Sequence, residues 1–162
     1  MSFQEKVTWV SAAATVIVAS WYASVVVGPI GEVPVEAIAY QRPLITAVVA
    51  MIVLTILGTV AMAIATAIGG AIGGAIRAEI RGEGQVAVAV DDIDRKDERD
   101  AVIDARGDRA AHYVASGLMV GVLALAMLEQ PHFWIANALF ASLVASGLVG
   151  SVVKLAAYRL GL

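Results

Sequence analysis

The stretch LITAVVAMIVLTILGTVAMAIATAIGGAIGGAI, Leu44 to Ile76, contains no ionisable side chain. Crossing the hydrocarbon core of a bilayer takes roughly 20 apolar residues in a helix. This run exceeds that length, so it must tilt or project into water. Three further apolar runs accompany it, at about 7–27, 110–128 and 133–157, while this one begins near Pro43 and covers about 43–76. Backbone N–H and C=O groups find no water in hydrocarbon and must bond within the segment, so runs of this length are helices. A membrane β-barrel needs many short alternating strands, and none is legible here. The expected fold class is therefore all-α: an integral membrane four-helix bundle over residues 1–162, with a charged segment at 77–109. Pro43 and Pro131 fall at expected first-turn positions, where a missing N–H costs nothing.

Composition agrees with this. Charged residues make up 15% of the chain and mean hydropathy is +0.84, against about 25% charged in an ordinary soluble domain. There is no cysteine, which removes disulfides, thiolate metal sites and cysteine nucleophiles. Lys6 precedes the first run as it would in a signal peptide, but Val7 to Val27 is long enough to span, and it is read as a retained helix.

Orientation follows from the basic residues. Lys6, Arg77, Arg81, Arg95, Lys96, Arg99, Arg106, Arg109, Lys154 and Arg159 fall on one side of a four-span layout, and only Arg42 falls on the other. The positive-inside rule then predicts cytoplasmic N and C termini, a cytoplasmic charged segment, and location in the cell inner membrane. Trp9, Trp21, Tyr22, Tyr40, Trp134 and Tyr158 lie near span ends, as an interfacial aromatic belt would.

Small residues recur every four positions, which places each set on one helix face. They are Ala61, Ala65, Gly69 and Gly73, with Gly70 and Gly74 beside them; Gly117 and Gly121; Ser142, Ser146 and Gly150; and Ser20, Ser24 and Gly28. Such faces let helices approach closely in a membrane. Packing within the chain is the plain expectation. A contact between copies, or a hinge at GGAIGGAI, is the sharper one.

Most of the charge sits in DDIDRKDERDAVIDARGDRAAHY, Asp91 to Tyr113. QVAVAV before it suggests a short extended piece. Asp91, Asp92 and Asp94 are candidate N-caps. A helix from Asp94 is expected to run into the third span, with Gly107 its weakest point. At 100° per residue, Asp97, Asp100, Asp104 and Asp108 form one stripe, and Arg95, Arg99, Arg106 and Arg109 form another, roughly opposite. Like charges stack within each stripe, which is unfavourable in an isolated helix. Each stripe is therefore expected to face a complementary surface. The choices are anionic headgroups, the next copy in a head-to-tail ring, or a different cytosolic or membrane protein. A solvated connector remains the plain alternative.

KDERDAVIDARGDRAAHYV, just before an apolar span, resembles a signature of small prokaryotic four-helix membrane proteins of unknown function. In those proteins an Asp-Glu-Arg-type motif leads into the third span. The motif covers this stretch, and the rest of the chain agrees in span layout. The resemblance implies a membrane bundle and no activity.

Chemistry finds little material. Glu129 and His132 are three apart with Pro131 between them, Glu32 and Glu36 lie on the same side, and His112 lies on the other. Two histidines on opposite sides are thin material for a metal site, so no metal or cofactor is expected. Lys154 sits near the cytoplasmic end of the fourth span and can snorkel; Asn137 is the most notable polar side chain within it. His112, Asp108 and Ser116 make no convincing catalytic set, and the basic clusters carry as many acids, so no nucleic acid is expected. The resulting expectation is a non-catalytic membrane protein. It would act by self-association or as an accessory component through its charged cytosolic helix, in contact with membrane lipid. A small oligomeric channel or transporter is the alternative.

Overall fold

The computed structural model describes residues 3–81 and 98–160, with backbone alone at 70–71, 73–81 and 98. They form four long helices: α1 (Phe3–Val26), α2 (Gln41–Arg81), α3 (Glu98–Met127) and α4 (His132–Leu160). All four are long and apolar enough to cross a membrane, over Phe3–Val26, Gln41–Gly69, Arg99–Met127 and His132–Leu160. Over the described residues the fold is all-helical, and the chain is a multi-pass membrane protein. At 1.5 Å per residue the 41 residues of α2 measure about 60 Å. That is about twice the hydrocarbon thickness, so one end of α2 extends beyond it, and its backbone is helical through GGAIGGAI.

The main packing runs in the order α2, α1, α4, α3, so α1 and α4 form the centre and α2 and α3 the flanks. Large apolar side chains on the flanks, including Ile45, Ile52, Ile56 and Leu57 of α2 and Val120, Leu123 and Met127 of α3, face outward. In water this would be untenable; against acyl chains it costs nothing.

The apolar core sits at one end. Val18, Tyr22 and Val26 recur every fourth residue on α1 and meet Phe133 and Phe140 of α4 and Ala47 of α2. Between α1 and α2 the chain makes a single 3₁₀ turn, Val35–Ala37, and tucks Ile38 into this cluster. Tyr22 stacks at a tilt on Phe140, 4.6 Å between centroids, and Tyr40 meets Phe133 edge-on at 5.3 Å. Tyr22 and Tyr40, expected in an interfacial belt, thus turn inward, while Trp9, Trp21 and Trp134 are exposed.

The α3–α4 corner ends α3 with a Schellman pair of bonds. Gln130 N–H donates to Leu125 C=O and Glu129 N–H to Ala126 C=O, each at 3.1 Å. The residue between is left-handed, φ 51° at Glu129, a place usually given to glycine. Pro131 then follows, and its carbonyl accepts from Trp134 N–H in the first turn of α4.

Candidate functional site

The base of α3 decides where the charges go. Ile103 is fully buried and Gly107 is buried, so the face carrying them packs against α4. Asp100 and Asp104 lie along one edge of that face and are half-buried, and Asp108 is further round and exposed. Arg99, Arg106 and Arg109 flank that face from its opposite edge, and all three are exposed. The two stripes therefore meet different surroundings.

The acidic stripe meets a lysine of the same chain. Lys154 Nζ lies 2.8 Å from Asp108 Oδ1 and 3.3 Å from Asp104 Oδ1. Lys154 and Asp104 side chains are each 20% exposed, and Asp108 is 73% exposed. One cation bridges two carboxylates a helical turn apart, which is the spacing that puts them on one face. Lys154 reaches along α3 to these carboxylates because the glycines let α3 come close.

Those glycines are Gly107 and Gly150. A Cβ on Gly107 would overlap the Lys154 stem and stand 2.9 Å from Gly150 C=O. A Cβ on Gly150 would stand 3.1 Å from Ala111 Cβ and 3.2 Å from Gly107 C=O. Gly107, read from propensity as the weak point of the helix, lies inside an unbroken α3 and is a point of close contact with α4.

Beside the ion pairs is a cavity of about 300 Å³, lined by Gln4, Thr8 and Ser11 of α1, Asp104 and Asp108 of α3, and Lys154 of α4, among others. It brings the start of α1, the start of α3 and the end of α4 to one end of the molecule. Thr8 Oγ1 donates to Gln4 C=O on its own helix. At the opposite end Tyr22 Oη donates to Asn137 Oδ1 at 2.7 Å, and Asn137 Nδ2 donates to Phe133 C=O. These two residues border a mostly apolar groove of about 300 Å³ between α1 and α4.

The small-residue sets divide. Ser142, Ser146 and Gly150 are buried against neighbouring helices. Ser20, Ser24, Gly28, Ala61, Ala65, Gly69, Gly117 and Gly121 are exposed, and a Cβ on Gly69, Gly117 or Gly121 would meet nothing within 4 Å. The packing of Gly70, Gly73 and Gly74 lies outside the described side chains. The close approach of α1 to α2 uses Gly58, where a Cβ would overlap Val10. Gly58 has no small residue four positions away, so the periodic search passes over it.

Arg95, Asp97, the extended reading of 85–90 and the N-cap candidates Asp91, Asp92 and Asp94 lie outside the described residues. His112 is exposed beside Tyr113. Among the described residues no three His, Asp or Glu side chains are grouped to hold a metal ion. Chemically, the cluster at Lys154 is a clamp between helices.

No family model, curated protein or solved structure matches the chain.

Proposed function

We propose that this is a non-catalytic protein of the inner (cytoplasmic) membrane, with both termini in the cytoplasm, that acts by association. The contact surface is the outward basic face at the start of α3. One observation carries the reading. The acidic stripe is occupied by Lys154 of the same chain, whereas Arg99, Arg106 and Arg109 have no carboxylate partner among the described residues. Lys154 offsets part of the acidic row, and the exposed arginine row opposite it recruits negative charge. A head-to-tail ring of alternating stripes loses much of its attraction, because two of its acids are already paired.

The test is photo-crosslinking in cells from position 102, which is exposed on the basic face. A crosslinked product that disappears when Arg99, Arg106 and Arg109 are changed to Gln supports the reading. A wild-type chain that crosslinks to nothing contradicts it.

Self-association has its own support. Gly117 and Gly121 are four apart on α3, and a Cβ on either would meet nothing within 4 Å, which suits a helix–helix contact between copies. Transport through a single chain has less. The polar cavity at Lys154 gives way along α1 and α4 to Val18, Tyr22 and Phe140. The resemblance of 96–114 to small four-helix membrane proteins points the same way, toward a bundle without assigned chemistry.

A further inference from the structure

We propose that the outer face of α3 binds anionic phospholipid, with Arg106 and Arg109 holding the headgroup phosphate. This names the partner of the basic face and rests on the reading that this face is the working contact.

The order of residues along the face carries it. Val102, Arg106, Arg109, Tyr113, Val120 and Met127 lie within about 60° of one another on the helix wheel. Tyr113 is 69% exposed, Val120 66% and Met127 77%. Read along α3, the face passes from guanidinium to phenol to aliphatic. A phospholipid lying beside a helix passes from phosphate to glycerol to acyl chain in the same order. The spacing agrees: Arg109 to Met127 is about 27 Å, close to the roughly 30 Å of a hydrocarbon core. Arg109 is then at headgroup depth, Arg106 one turn further out, and Tyr113 at the interface where phenols settle.

The charge has nowhere else to go. No acidic residue lies three or four positions from Arg106 or Arg109, and neither is ion-paired among the described residues. Lys154 holds Asp104 and Asp108 toward α4, which keeps those carboxylates from crossing to the arginines. Two adjacent planar guanidinium groups suit a phosphate diester, which accepts two parallel N–H donors from each. Anionic lipid is favoured over a protein partner because the site continues without a break into a face that is apolar and exposed for the length of a lipid tail.

The experiment uses the full chain in nanodiscs of phosphatidylcholine and phosphatidylglycerol in equal amounts, with retained lipids counted by native mass spectrometry. An arginine near an anionic surface is worth roughly five-fold in affinity. Wild type is expected to retain phosphatidylglycerol preferentially. R106Q/R109Q is expected to lose that preference by roughly tenfold or more, with an unchanged melting temperature. R42Q, at the other end of the molecule, is expected to behave as wild type. R106K/R109K keeps the charge without the planar fork and is expected to fall between. Equal retention of phosphatidylglycerol by wild type and R106Q/R109Q overturns the proposal. So does displacement of the lipid by inorganic phosphate at matched concentration, since the acyl face would then contribute nothing. If lipid retention is unchanged but R106Q/R109Q abolishes a protein crosslink from position 102, the partner is a protein; the lipid proposal falls and the association reading survives. If both are unchanged, both fall.

Discussion

Gly150 C=O stands 2.9 Å from where a Cβ on Gly107 would be. That closeness lets Lys154 of α4 bridge Asp104 and Asp108 of α3. Gly107→Ala must push a backbone carbonyl away as well as move the lysine stem. Overpacking of this kind costs about 1–3 kcal/mol, which outweighs the ~1 kcal/mol that alanine gains in helix propensity. Gly150→Ala meets only 3.1–3.2 Å contacts and is expected to be the milder change. Thermal melting in detergent, with the two variants side by side, checks the order.

Lys154→Met removes the cation that bridges Asp104 and Asp108, and Asp104 is held against the helix interface. Breaking a fully buried pair costs about 3–5 kcal/mol. The largely exposed Asp108 lowers that to about 1–3 kcal/mol here. Asp104→Asn or Asp108→Asn alone leaves Lys154 one carboxylate and is expected to cost under about 1 kcal/mol. The double variant is expected to exceed the sum, because the lysine then has neither. Non-additivity in that cycle is the readout.

How much of this was legible beforehand depends on whether one helix sufficed to see it. Four apolar helices follow from bilayer thickness and backbone hydrogen bonding, and Leu44 to Ile76 alone forces the class. The opposition of Asp and Arg stripes follows from the wheel. What each stripe faces does not. Lys154 lies 46 positions after Asp108, and only the helix pairing brings them together. Gly107 shows the same limit: propensity assigns it weakness, and packing assigns it contact. Tyr22 looked interfacial because it is near a span end, yet Asn137 and Phe140 draw it inward.

That Tyr22–Asn137 bond gives a further test. Tyr22→Phe keeps the ring contact with Phe140 and removes only the hydroxyl. Hydrogen bonds between membrane helices average about 0.6 kcal/mol, so a small loss is expected, near 1 kcal/mol at most. Asn137→Ala on top of Tyr22→Phe is expected to add little beyond Asn137→Ala alone. A strictly additive pair in melting experiments would mean that the two residues do not bond.

Glu129 offers a change in the stabilising direction. A left-handed conformation costs an ordinary residue about 1–2 kcal/mol, and glycine adopts it freely. Glu129→Gly is therefore expected to raise the melting temperature, after the entropy of glycine in the unfolded chain takes back part of the gain. A fall in melting temperature would show that the carboxylate contributes more than the backbone loses.

Gly58 and Gly117 separate packing inside the chain from packing between chains. Gly58→Ile drives into Val10 and is expected to destabilise the single chain by several kcal/mol. A Cβ at Gly117 meets nothing within 4 Å. Gly117→Ile is expected not to lower the melting temperature, since leaving glycine favours the helix, and to reduce particle mass in nanodiscs if copies associate through that face. A mass unaffected by Gly117→Ile and Gly121→Ile places any self-contact elsewhere.

The most direct test of the inward acidic face is a disulfide. The chain has no cysteine, so a double substitution, Ala111→Cys with Gly150→Cys, has a clean background. A Cβ on Gly150 is 3.1 Å from Ala111 Cβ, and a small shift reaches the ~3.8 Å that disulfides favour. With a protease site inserted between Gln130 and Pro131, oxidised protein in membranes is predicted to stay in one piece after cleavage and to separate on reduction. If oxidation instead joins two chains and the cleaved halves of each come apart, the α3 face carrying Asp104 and Asp108 meets a neighbouring copy, and the pairing with Lys154 of the same chain is wrong.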